Sequence, residues 1–159
     1  MAKASLANLA DTQQISTRIT RILPSSPRKW GTLTPHEMIC HLSDSFLMVM
    51  GEKRVAPMKI SVTPIPLPIG FVKWFALEVP MRWPQGTPTL PEVDPKRDGT
   101  RPTEFGQDVE NLQSLLKRFT RQPRDFQFAM HPIFGTMCET EWMRWGFLHM
   151  DHHLRQFGV

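Results

Sequence analysis

Three of the six histidines in this chain fall in its last eleven residues, and two of them, His149 and His153, stand four apart. Four residues make one helical turn plus roughly 40° of rotation, so imidazoles at this spacing can aim at one cation from a single helix face. The run is not an appended tag: Leu148, Met150, Leu154 and Phe157 are interleaved with it, and Gly158 stands at a helix-closing position. On a helical wheel with His149 at zero, Trp142, Trp145, Gly146, His153 and Gln156 lie within about 60°. Met143, Phe147, Met150 and Leu154 form a second apolar stripe, and Glu141, Arg144, Asp151 and Arg155 occupy the wet arc, with Leu148 an apolar exception. His152 falls at the edge of the buried arc, which selects His149 and His153 as the pair. Imidazoles buried beside tryptophans must find partners for their nitrogens, and either a metal ion or a hydrogen-bond network can supply them.

A catalytic site of the zinc type takes three protein ligands, so one more is needed from His36, His41 or His131. Thr34, Pro35 and Glu37 spell a helix start with a capping box, and the helix runs to about Met50. Its apolar arc is Met38, Ile39, Leu42, Phe46 and Val49. His41 lies on the flank of that arc, whereas His36 points to the polar side and His131 precedes Pro132 in the turn before the last helix. His41 is therefore the third candidate ligand. Helix phase offers Glu37, Ser45 and Gln156 as groups to orient the imidazoles and Asp44 as a general base, with Trp142, Trp145 and Trp74 as pocket walls. A metalloprotease of the His-Glu-x-x-His type would need glutamate where Met150 stands.

The elements that must hold these residues are helical. Apolar periodicity predicts helices over about 5–23 (Leu9, Ile15, Ile19, Ile22), 35–50, 103–120 (Phe105, Val109, Leu112, Leu115, Leu116, Phe119) and 139–157. Strand-like alternation is absent, so the fold class is all-α, a bundle of four amphipathic helices in a single domain over 1–159. Between them, residues 51–102 contain ten prolines. Ile65, Leu67, Ile69, Phe71, Trp74, Phe75, Leu77 and Trp83 make this stretch too apolar for a solvated linker. It is expected to hold a short helix over 69–79 flanked by extended arms, a cover that either roofs the pocket or caps the core.

The stretch from Trp30 through Leu33, Thr34, Pro35, His36, Glu37 and His41 to Asp44, followed by His149 and His153, resembles the DinB/YfiT-like superfamily. More narrowly, the closing run from His131 and Gly135 through Glu141 and Trp142 to Gly158 is similar to a bacterial branch of it whose function is uncharacterised. The resemblance implies a DinB-like four-helix bundle with the proline-rich insertion between its second and third helices. It also implies a divalent metal, nickel or zinc, held by His41, His149 and His153. Relatives of this kind include thiol-dependent S-transferases, a thiol-dependent isomerase and proposed metal-dependent hydrolases. The implied chemistry is activation of a thiol or water, acting on a small molecule, with a low-molecular-weight thiol as a candidate partner.

Composition narrows the alternatives. The formal charge is +4 with a pI near 9.4, but the basic residues are scattered. Only Lys117, Arg118, Arg121 and Arg124 cluster, at a helix C-terminus where the dipole favours cations anyway, so nucleic-acid binding is disfavoured. No run of eighteen apolar residues and no secretory leader pattern is present, which leads to the expectation of a cytoplasmic protein without membrane partners. Two cysteines, Cys40 and Cys138, are too few for a disulfide framework and read as ordinary thiols. A homodimer is expected from the apolar cover. The competing functional reading is a structural or stress-related bundle whose histidines only hydrogen-bond.

Overall fold

The computed structural model describes residues 3–57 and 67–159. These form five α-helices, α1 (Leu9–Thr20), α2 (Pro35–Val49), α3 (Ile69–Glu78), α4 (Phe105–Thr120) and α5 (Glu139–Arg155), with a 3-10 turn at Pro91–Val93. No strand occurs among the described residues; one isolated bridge joins His131 to Gly135. No helix among them is long and apolar enough to cross a membrane.

Local chemistry sets the helix boundaries. Thr34 and Glu37 exchange the two hydrogen bonds of a capping box, with Pro35 in the first turn. The Glu104 side chain accepts the N–H groups of Gly106 and Gln107, and the Cys138 N–H donates to Glu141. Asn8 caps α1 by accepting from Ala10 and Asp11, so α1 begins four residues later than the expected Ser5. Leu9 is consequently exposed and Leu6, before the cap, is buried in its place. At its other end α1 closes in tight turns, Arg21 N–H to Arg18 and Ile22 N–H to Ile19, which shorten the expected helix by three residues. Gly158 takes φ 80° beyond α5, the left-handed closing conformation that glycine adopts without strain.

α2 packs along α4, α1 touches α4 and α5, and α3 rests on α5. Ile15, Ile19, Met38, Leu42, Phe46, Leu112, Leu116, Phe119, Trp142 and Leu154 close the core between them. Gly146 permits the close approach of α5, since a Cβ there would stand 2.8 Å from Leu6 and 3.1 Å from Phe119. Lys73 pairs with Glu141 at 2.8 Å and fastens α3 to α5.

The proline-rich stretch behaves in part as its composition implies. A helix at Ile69–Glu78 is present, and Leu77 and Val93 are buried. Pro64, Ile65 and Pro66 lie outside the described residues. The expectation that its large apolar side chains are covered needs correction: Leu67, Ile69, Phe71, Trp74 and Phe75 are each exposed. A helix that is apolar on every side but rests mainly on α5 has only one face to bury.

Candidate functional site

His41 on α2 faces His149 and His153 on α5. Its Nε2 lies 3.3 Å from Nε2 of His149 and 3.1 Å from Nε2 of His153, and one ring nitrogen from each of the three lies within 4.8 Å of the others, a group that could hold a metal ion. The three candidate ligands are thus brought together from residues more than a hundred positions apart. His152 is buried too, but its ring turns edge-on to Trp30 at 4.6 Å and does not join the convergence.

Hydrogen bonds on the far side of two rings fix their orientation. His41 Nδ1 lies 2.8 Å from the carbonyl oxygen of Val93; a carbonyl can only accept, so Nδ1 carries the proton and Nε2 presents a lone pair. His153 Nδ1 lies 2.8 Å from Gln156 Oε1, which turns its Nε2 inward in the same way. Carbonyl and amide partners on the outer nitrogen are the usual means of holding a ligating imidazole. Burial lowers the pKa of His41, and it pushes His149 and His153 well below the ordinary histidine value, with neighbouring imidazoles adding to the effect. The neutral form, the one that ligates metal, is therefore the stable one.

Of the groups expected to orient the imidazoles, Gln156 does so. Glu37 does not: its carboxylate receives the Thr34 N–H at 2.7 Å and sits 3.5 Å from Lys96. The Ser45 hydroxyl donates to the backbone carbonyl of His41 at 2.8 Å and never reaches the ring, because a mid-helix serine bonds back one turn. Asp44 is not free to act as a base. Its side chain is fully buried, takes the Thr100 N–H and hydroxyl at 2.7 Å each, and pairs with Lys53 at 2.9 Å. It ties the end of the proline-rich stretch to α2. The Val93 carbonyl carries no side-chain signal and was not legible in the sequence.

The aromatic walls are redistributed. Trp145 stacks on His149, centroids 4.7 Å apart at 24°, as expected. Trp142 belongs to the core, stacked on Phe128 at 5.8 Å. Trp74 stands 53% exposed and pairs with Phe71, away from the histidines. Trp83 takes its place, 6.2 Å from His149 and 6.1 Å from His152, held by its indole N–H to the Ala76 carbonyl. His131, in the turn before α5, is buried: Nδ1 accepts the N–H groups of Ile133 and Phe134 at 3.1 Å each, and the ring packs on Phe134, Trp142 and Trp145.

A second convergence, His36, Cys40 and Asp108, escaped the sequence because Asp108 arrives from α4. His36 Nε2 lies 2.7 Å from Asp108 Oδ2, which also accepts the Thr103 N–H at 2.9 Å. Burial and then Asp108 push the Cys40 thiol up to about 12, so it stays protonated, and the group reads as a clamp between α2 and the start of α4. Three of the four cations in the basic cluster are paired: Arg118 with Glu52 and Asp125, Arg121 with Asp125, and Arg124 with Glu139.

No curated protein and no solved structure matches the chain. A family described as a protein of unknown function, DUF1569, matches residues 72–158. The matched span runs from α3 to the end of α5 and includes His149 and His153, while His41 precedes it. Because the match covers more than half of its 159 residues, the chain belongs to the DUF1569 family.

Proposed function

We propose that this protein holds one divalent metal ion, nickel or zinc, through the Nε2 atoms of His41, His149 and His153, and that it is an enzyme of the S-transferase or hydrolase type activating a thiol or water there. The observation that carries the reading is the facing of two lone pairs. With Nδ1 of His41 donating to Val93 and Nδ1 of His153 set on Gln156 Oε1, both neutral rings turn unprotonated Nε2 atoms toward each other at 3.1 Å. Lone pairs repel at that separation, and a cation between them converts the repulsion into ligation.

The separations fit such an ion. Imidazole nitrogens about 2.05 Å from a shared ion stand roughly 3.3 Å apart at a tetrahedral angle and roughly 2.9 Å apart at a right angle. The observed 3.3 and 3.1 Å fall between the two, and zinc and nickel are equally admissible because imidazole suits both. Three neutral imidazoles leave an open position, where such an ion lowers the pKa of a bound water or thiol toward neutrality. Around it, Val93 and Gln156 orient the rings, and Trp145 and Trp83 provide apolar walls.

The helix packing supports the finer fold reading, in which α1, α2, α4 and α5 make a DinB/YfiT-like four-helix bundle and residues 51–102 are an insertion between its second and third helices. Cys40 and Cys138 are both free, in keeping with a cytoplasmic setting, and the exposed apolar face of α3 supports self-association. A small molecule, with a low-molecular-weight thiol as co-substrate, is the proposed partner. The rival, a structural bundle with hydrogen-bonded histidines, needs either the His149 proton on Nε2, donated to His41 at 3.3 Å, or the Gln156 amide reversed and the His153 proton on Nε2.

The test of activity is a screen of zinc- and nickel-loaded protein for thiol transfer to small electrophiles and for ester and amide hydrolysis, with the His153→Ala protein as blank. Turnover that depends on the loaded metal supports the enzymatic reading. Full metal occupancy without turnover in either screen would leave a metal-binding protein and overturn the enzymatic part.

A further inference from the structure

On the outer face of α5, next to the histidines but turned away from them, a cleft of about 350 Å³ opens under residues 80–83. Arg82, Arg144 and Arg155 line it together with Trp83 and Asp151. Its positive charge is only partly compensated. Asp151 is shared by two guanidinium groups, Arg18 at 2.8 Å and Arg155 at 2.9 Å. Arg144 has no carboxylate within ion-pair distance among the described residues: it donates to the carbonyls of Leu77 at 3.0 Å and Ala4 at 2.6 Å, which leaves Nη2 without a protein partner. Arg82 makes neither an ion pair nor a hydrogen bond there. Glu78 pairs with Lys3, and Asp11, which accepts the Ser5 N–H, acts on Arg144 only from beyond ion-pair distance, as Glu78 and Asp151 do. Desolvation accordingly lowers the Arg144 pKa.

A partly buried guanidinium that no carboxylate pairs with directly, flanked by two more, is an arrangement that an oxyanion completes, since planar N–H forks match carboxylate and phosphate oxygens. We propose that this cleft binds the carboxylate or phosphate group of a small anionic ligand through Arg82, Arg144 and Arg155. The volume falls at the small end of ligand pockets, roughly 300–1,000 Å³. Trp83 is the wall shared with the histidine centre, its ring against His149 on one side and lining the cleft on the other. The inference goes beyond the metal reading and stands without it; the cleft is the substrate's anchoring point only where that reading also holds.

The experiment is a titration of inorganic phosphate and, separately, of succinate into chelator-treated and zinc-loaded protein at fixed ionic strength, followed by calorimetry and by the indole N–H resonance of Trp83, assigned from Trp83→Phe. The two ligands separate a phosphate site from a carboxylate site. Saturable binding of at least one, equal with and without zinc, is expected, with the Trp83 resonance shifting. Arg82→Ala is expected to weaken it about tenfold, and Arg155→Gln likewise; Arg82 has no structural contact to lose, so its variant stays folded. No saturable binding of either anion would overturn the proposal. So would an affinity unchanged in both variants, or one that appears only with zinc present.

Discussion

Nδ1 of His41, on α2, lies 2.8 Å from the carbonyl oxygen of Val93, in the 3-10 turn of the proline-rich stretch. The cover is therefore part of the centre: it fixes the proton of the one imidazole that both others face. Asp44 and Thr100 hold the same stretch to α2 a turn further on.

Gln156→Ala removes the acceptor of the His153 Nδ1–H. Loss of such an orienting partner weakens metal affinity by about 10- to 100-fold, and competition with a chelator of known affinity measures it. Gln156→Glu retains the acceptor and is expected to retain the affinity. Equal affinity in the alanine variant would reduce Gln156 to packing.

Asp44→Ala leaves Lys53 and the Thr100 N–H without their buried partner. A cost of about 3 kcal/mol in urea unfolding is expected, with metal stoichiometry unchanged. Lost turnover at undiminished stability would instead restore Asp44 as a base.

Trp83 and Trp74 should separate cleanly. Trp74→Ala, at an exposed position, is expected to change stability by no more than about 0.5 kcal/mol and to leave metal binding alone. Trp83→Ala opens His149 to solvent and is expected to lower metal affinity in the same chelator competition. The reverse ranking would place the pocket wall on α3.

Acid should destabilise the metal-free fold through His131. Burial lowers its pKa to about 4, and protonating Nδ1 would break two hydrogen bonds from backbone N–H groups. The unfolded imidazole titrates near 6.5, so between these values the unfolded chain binds the extra proton. Stability is whole above about pH 6.5 and declines as pH falls toward 4, by about 3 kcal/mol for this residue. His152, also lowered to about 4, acts with the same sign. Melting temperature against pH should show the decline, and His131→Asn, which keeps an acceptor, should make it shallower.

The helices and the inward phase of His41, His149 and His153 were legible in the sequence because helix periodicity is short-range. Thr34 and Glu37 announce α2, and the spacing of His149 and His153 needs only one helix. What it could not carry depends on contacts between distant segments. The Val93 carbonyl has no side chain to mark it. Asp44 is polar at helix phase with His41, yet Lys53 and Thr100 occupy it. Trp74 and Trp83 are both aromatic residues in one proline-rich stretch, and only the path of residues 80–83 along α5 decides which one meets His149. The start of α1 was misplaced because Asn8 caps it while Ser5 turns back to Asp11.

Elemental analysis of untagged protein, beside His41→Ala, His149→Ala, His153→Ala and His152→Ala, tests the central claim most directly. About one nickel or zinc per chain in the wild type and in His152→Ala, and none in the other three, is the predicted result. Wild-type protein that takes up no metal even after reconstitution, or metal retained when His41 is removed, would contradict it.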